Sequence, residues 1–135
     1  MIGIVIVAHG DLAGALLDAT EHVVGPQENA RTVPIYPADD LAARQAEIER
    51  LVAETDTGEG VVLITDMFGG TPSNLALGAM ADGRVEVICG ANLPLLVKLA
   101  KCRDRPLDEA VRAALEAGHK YIESAARILE PGRSR

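Results

Sequence analysis

Residues 2–10 read Ile2-Gly3-Ile4-Val5-Ile6-Val7-Ala8-His9-Gly10, a β-branched apolar run that stops at a histidine and a glycine. A strand without polar alternation is one covered on both faces, the habit of parallel sheets packed between helices. Val61-Val62-Leu63-Ile64-Thr65 repeats the pattern and stops at Asp66. Val85 to Cys89 reads as another strand, and Thr32 to Tyr36 as a shorter, less hydrophobic one expected near a sheet edge.

Helical patterns fill the intervals. Asp11 precedes Leu12, Leu16, Leu17, Val23 and Val24 at helical spacing, and Gly25-Pro26 stops that helix. Asp39 and Asp40 open a second, with Leu41, Ile48, Leu51 and Val52 on its apolar side. Thr71 is placed to cap a third and Pro72 to occupy its first position, with Leu75, Ala76, Ala79 and Met80 as its stripe. Asn92-Leu93-Pro94 lead into a fourth helix reaching about Lys101, and Pro106 starts a longer one expected to pause at Gly118. Strand and helix alternate four times, which predicts a doubly wound α/β fold with a mainly parallel sheet of order 2-1-3-4. Residues 1–135 read as one domain. Residues 119–129 stay open: their alanines favour helix, whereas a terminating Gly118 followed by Tyr121-Ile122 would suit a strand. The stretch 130–135 reads as a frayed tail.

Composition narrows the function. Thirteen Lys and Arg against twenty Asp and Glu give a net charge of −7, the wrong sign for non-specific binding to nucleic acid or anionic lipid. Aromatic residues make up 2% of the chain (Tyr36, Phe68 and Tyr121), too few for a base-stacking platform. Cys89 and Cys102 show neither a CxxC nor a metal-binding spacing and read as two reduced thiols. The N-terminus lacks a basic leader, and its apolar run is only a strand long, so the expected compartment is the cytoplasm.

In open α/β sheets, ligands bind beyond the carboxyl ends of the strands, where the strand order reverses. For an order of 2-1-3-4 that point lies between the first and third strands, and the residues leaving them are His9-Gly10 and Asp66. A carboxylate bonded to one imidazole nitrogen fixes the tautomer and leaves the other nitrogen's lone pair free. It also steadies the positive charge that develops when that nitrogen attacks an electrophile. Gly10 allows a sharp turn after the histidine. Asp66 opens the segment Asp66-Met67-Phe68-Gly69-Gly70-Thr71-Pro72-Ser73-Asn74. Its two glycines before a helix expose backbone N–H groups, and Thr71 and Ser73 add hydroxyls, which suggests a cradle for one phosphoryl group. No Walker A loop and no GxGxxG fingerprint is present. His22 and His119 read as solvated surface residues.

Three blocks, Ile4 to Gly10, Asp66 to Asn74 and Gly90-Ala91-Asn92-Leu93-Pro94, resemble the signature of the mannose-family enzyme IIA domain of the bacterial phosphoenolpyruvate-dependent sugar phosphotransferase system. The resemblance runs in order over about residues 1–118. It implies that His9 accepts a phosphoryl group on Nε2 from the phosphocarrier protein HPr and passes it to a IIB protein. Asp66 would bond the other ring nitrogen, and Gly69, Gly70, Thr71 and Ser73 would surround the phosphate. Gly10, Phe68, Asn92, Leu93 and Pro94 would form a rim that meets the partners. The resemblance also implies a homodimer exchanging a last antiparallel strand, a membrane link only through a permease complex, and no metal or organic cofactor. Because the sequence ends at Arg135 without an Ala/Pro-rich linker, the IIB acceptor is expected on a separate polypeptide.

Other classes fit less well. A regulatory phosphoacceptor without transport would use the same residues. A receiver-type switch phosphorylated on Asp66 needs an acidic pair after the first strand to hold Mg²⁺, and Ala8-His9-Gly10 supplies none. A tetrapyrrole metal chelatase, suggested by Val7-Ala8-His9-Gly10, needs a second strong ligand on the same rim.

Overall fold

In the computed structural model, residues 1–132 are described. The elements are β1 (Gly3–His9), α1 (Leu12–Val24), β2 (Ala30–Ile35), α2 (Leu41–Thr55), β3 (Val61–Thr65), α3 (Thr71–Leu77), β4 (Val85–Cys89), α4 (Leu93–Lys101), α5 (Leu107–Lys120) and α6 (Ala125–Ile128). The four strands pair in parallel in the order β2-β1-β3-β4, the doubly wound α/β arrangement expected from the alternation.

Successive strand residues point to opposite faces, so an unbroken apolar run needs a helical layer on each side. Ile4, Ile6, Ala8, Val62, Ile64 and Ile88 pack with Ala13 of α1, Leu95, Leu96 and Leu99 of α4, and Ala110 and Ala114 of α5. Val5, Val7, Val33, Ile35, Val61 and Leu63 pack on the other face with Ile48 and Leu51 of α2 and Ala76 of α3. Each Val, Leu or Ile fully buried in this way contributes about 1.5–3 kcal/mol, against roughly 1 kcal/mol net for one hydrogen bond. Packing therefore sets where β1 and β3 end. β2 lies at an edge, as its mixed pattern of buried and exposed residues requires.

Gly118 does not terminate α5, which continues to Lys120. The residue is glycine for another reason: a Cβ there would stand 3.2 Å from both Cβ and Cδ1 of Leu95, where α5 crosses α4. The chain then passes through Tyr121–Ser124 into the short α6, and no fifth strand forms among the described residues. The exchanged antiparallel strand implied by the resemblance is thus not formed in the single chain. Only Tyr121 and Ile122 there are good strand formers, and the alanines that follow favour helix. Residues 130–132 form an exposed turn, and the rest of the expected frayed tail, 133–135, lies outside the described residues.

Two smaller expectations also shift. Gly70 occupies the N-cap of α3, Thr71 is its first helical residue, and the helix ends at Leu77, leaving Met80 exposed. The end of the sheet away from His9 is closed by a residue that periodicity does not reveal. Arg103 is buried, and its guanidinium donates to the Ile2 carbonyl at 2.8 Å, the Asn29 carbonyl at 2.9 Å and Gln27 Oε1 at 3.1 Å. Burial lowers its pKa, and the charge of Glu28 partly offsets this.

Candidate functional site

β1 delivers His9 to the carboxyl edge of the sheet, and the chain turns at once: Gly10 takes φ +56° while its N–H donates to the Ile35 carbonyl at 2.8 Å. β3 ends at Thr65, so Asp66 emerges beside His9 as the parallel register of β1 and β3 demands. His9 Nδ1 lies 2.7 Å from Asp66 Oδ2, and the His9 backbone N–H donates to the same oxygen at 3.1 Å. The Met67 N–H donates to Oδ1 at 3.0 Å. The Asp66 side chain is 12% exposed and the His9 side chain 51%. Burial pushes the Asp66 carboxyl up, but hydrogen bonds from the His9 ring and the His9 N–H, together with the charge of His9, outweigh it. The carboxyl titrates below its ordinary value. An ionised carboxylate only accepts hydrogen bonds, so Nδ1 is the protonated nitrogen of the neutral ring, and in that tautomer the lone pair lies on Nε2.

The far edge of the ring faces Gly70. A Cβ at that residue would stand 2.9 Å from His9 Cε1 and 3.2 Å from Nε2, a separation that only a glycine leaves clear. Gly69 before it takes φ +94°, within the left-handed region that glycine tolerates. Ser73 is buried: its hydroxyl accepts from the Gly69 N–H at 2.9 Å and donates to the Gly70 carbonyl at 2.9 Å. Ser73 therefore turns inward and engages the Gly69 N–H, which corrects the expectation that both groups face a phosphate. Thr71 is exposed and lines a shallow depression of about 340 Å³ with His9, Ile35, Tyr36, Pro37, Asp39 and Leu41.

The rim divides. Met67 and Phe68 stand exposed on the loop that follows Asp66, at 55% and 73%. Asn92 is committed to the fold, accepting from the Leu95 N–H at 3.0 Å and donating to the Gly118 carbonyl at 3.0 Å. Leu93 and Pro94 line a separate depression of about 410 Å³ with Val23, Val97, Ala117 and Tyr121, in which neither His9 nor Asp66 takes part. Asp66, Gly70 and Thr71 thus stand around His9, with Gly10 and Gly69 next to them in the chain. Asn92 instead caps α4, and Leu93 and Pro94 line the other depression. The Gly90 and Ala91 N–H groups of that loop donate to the Thr65 carbonyl, each at 3.0 Å, beside Asp66. His22 and His119 are exposed on α1 and α5. One pair at the site escapes the motif reading: the Tyr36 hydroxyl donates to the Asp11 carboxylate, and the Tyr36 N–H donates to Asp39 Oδ2 at 2.9 Å. The hydrogen bond to Asp11 is the main cause that raises the tyrosine pKa. Asp11 and Tyr36 follow the ends of β1 and β2, so the reasoning that pairs His9 with Asp66 could have found them.

The family described as the PTS system fructose IIA component matches residues 3–116. The chain belongs to this family, the mannose-family IIA domains of the phosphotransferase system. This IIA chain is 34% identical over 126 residues to the PTS system mannose-specific EIIAB component of Escherichia coli K12, covering 91% of the chain and 39% of that protein. It therefore spans about two fifths of the length of that relative. The PTS system fructose-specific EIIA component of Bacillus subtilis is 30% identical over 105 residues, which cover 77% of this chain and 72% of that protein. Among solved structures, the phosphotransferase system component EIIA from Streptococcus agalactiae superposes with a TM-score of 0.82 at 26% identity, covering 92% of this IIA chain and 97% of that one. Among the described residues, no helix is long and apolar enough to cross a membrane.

Proposed function

We propose that the protein is a phosphoryl carrier of a sugar phosphotransferase system, in which Nε2 of His9 accepts a phosphoryl group from HPr and passes it to a IIB protein. The observation that carries this reading is the half-exposed imidazole whose Nδ1 is held 2.7 Å from a largely buried carboxylate. The Nε2 lone pair attacks phosphorus and forms the new N–P bond, while the bond from phosphorus to the donor's ring nitrogen breaks and its electron pair returns to the donor. The ring keeps the Nδ1 proton and becomes cationic, and Asp66 stabilises that charge from a fixed position. Hand-off is the same step with the acceptor protein's nucleophile attacking phosphorus and Nε2 as the leaving group. Reactants arriving on two proteins need a shallow exposed face, and Phe68, Met67 and Thr71 beside His9 supply one. On this reading the Thr71 hydroxyl, exposed beside His9, is the donor that meets the phosphoryl oxygens.

Membership in the phosphotransferase-system IIA family supports the choice of HPr and IIB as partners. The same reading makes the protein cytoplasmic, linked to a membrane only through its partners. It also makes it a homodimer, for which the exposed Val23, Tyr121, Ile122 and Leu129 offer apolar surface. Light scattering checks that association. The deciding experiment follows label from phosphoenolpyruvate through enzyme I and HPr to this protein. The wild type is expected to acquire an acid-labile, alkali-stable phosphoryl group, and His9→Ala is expected to acquire none. Equal labelling of both proteins overturns the assignment, and an alkali-labile bond would move the acceptor to Asp66.

A further inference from the structure

We infer that Ser73 is a positioning residue for the His9 ring, acting through Gly69 and Gly70 rather than on the phosphate. The inference rests on the phosphoryl-carrier reading but draws on different observations. Ser73 is fully buried in the first turn of α3, and both hydrogen-bonding roles of its hydroxyl are spent within the loop. It accepts from the Gly69 N–H and donates to the Gly70 carbonyl, each at 2.9 Å, which closes residues 69–73 into a ring. The Gly70 carbonyl also accepts from the Asn74 N–H at 3.1 Å, so this peptide is anchored to the helix by two bonds.

The Gly70 Cα, next to this anchored carbonyl, is the atom that stands beside the Cε1–Nε2 edge of the imidazole. With only 2.9 Å and 3.2 Å between a notional Gly70 Cβ and the ring atoms Cε1 and Nε2, a shift of a few tenths of an ångström in Gly70 changes the room beside Nε2. Two consecutive glycines leave this segment little intrinsic stiffness, because neither has a side chain to restrict its backbone. The Ser73 hydroxyl supplies stiffness by tying the Gly69 N–H to the Gly70 carbonyl, and the Asn74 N–H adds a second anchor on that carbonyl. Asp66 holds the ring at Nδ1, and the Gly70 turn tied down by Ser73 lies beside Cε1 and Nε2, so its placement sets the room left at Nε2 for a phosphoryl group.

The test uses Ser73→Ala, which removes the hydroxyl and keeps a good helix former. The readouts are the rate of phosphoryl acceptance from HPr, the thermal unfolding temperature, and the His9 Cε1–H resonance followed through its pH titration. The rate is expected to fall on the order of 10- to 100-fold, the scale of a slight misplacement of reacting groups, while the protein stays folded. The His9 resonance is expected to move or broaden, which a residue serving only stability would not cause. Gly70→Ala is the second variant: its φ of −90° suits any residue, so the added methyl acts on the ring and not on the backbone. It too should displace the His9 resonance, even if Ser73→Ala does not fold. Unchanged rate and unchanged resonance in Ser73→Ala, or an undisturbed ring in Gly70→Ala, overturns the inference. If the wild type takes no label from HPr, the carrier reading fails, and the resonances still decide the positioning role.

Discussion

One oxygen of Asp66 holds His9 twice: Oδ2 accepts from the ring Nδ1 at 2.7 Å and from the backbone amide at 3.1 Å. A single atom thus holds the Nδ1 side of the imidazole and ties the end of β1 to the residue that leaves β3. Asparagine at this position can keep one acceptor on the ring but carries no charge to balance the imidazolium. Asp66→Asn is expected to fold normally and to slow phosphoryl acceptance on the order of 10²-fold, the scale of losing one preorganised electrostatic contact. Transfer rates at saturating phosphorylated HPr check it. A rate equal to wild type would reduce the carboxylate to a structural role.

The same contacts link stability to acidity. The Asp66 carboxyl titrates below its ordinary value of 3.8, so the folded state binds the proton less readily than the unfolded chain does. Its stabilising contribution is fully present above that value and is lost as pH falls through the lowered folded pKa. Denaturant unfolding of the wild type and Asp66→Asn across this range should show a constant gap at neutral pH that closes on acidification. A gap that widens as acid is added would contradict the geometry. Asp56 shifts in the same direction, chiefly through the Gly58 N–H, and the comparison with Asp66→Asn cancels its contribution.

Strand order and the His9–Asp66 pairing are legible in the sequence because each depends on a pattern a few residues long. Apolar runs that stop abruptly mark buried strands, and in a parallel sheet the residues after neighbouring strands share one edge. The role of Ser73 is hidden for the opposite reason. A serine in the first turn of a helix can face outward or fold back, and the choice depends on where Gly69 and Gly70 lie in space. Asn92 and Gly118 are hidden together, because a contact between α4 and α5 spans 26 residues of sequence. The resemblance to the family places both blocks in order but carries no information on which way the side chains turn.

Arg103 supports the amino end of the sheet, far from the chemistry in function as in fold. Its removal takes the buried guanidinium bond from the Ile2 carbonyl, whereas the Asn29 carbonyl still accepts from the Ile4 N–H at 3.0 Å; one unsatisfied buried group costs about 1–3 kcal/mol. Arg103→Ala is therefore expected to lose about 1–3 kcal/mol of stability, a sizeable part of the total for a domain this size. Phosphoryl acceptance by the folded fraction at low temperature should be unchanged. Chemical denaturation gives the first quantity and the transfer assay the second. A variant as stable as wild type would show that water replaces the guanidinium without loss.

Two helical glycines should respond oppositely to a side chain. Gly14 lies in α1, and a Cβ added to it would have no atom within 4 Å, so alanine there meets open space. Gly14→Ala is expected to gain about 0.5–1 kcal/mol, because alanine is the better helix former and loses less backbone entropy. Gly118 lies against Leu95, where even a Cβ is crowded at 3.2 Å, and its carbonyl is tied to Asn92. Gly118→Val adds two further methyl groups to that contact and must push α5 from α4, at a cost of about 1–3 kcal/mol for overpacking, in addition to the low helix propensity of valine. Thermal unfolding of the two variants checks the pair. A stabilised Gly118→Val would mean that α4 and α5 separate freely, and the tight crossing that displaces the expected helix stop would lose its explanation.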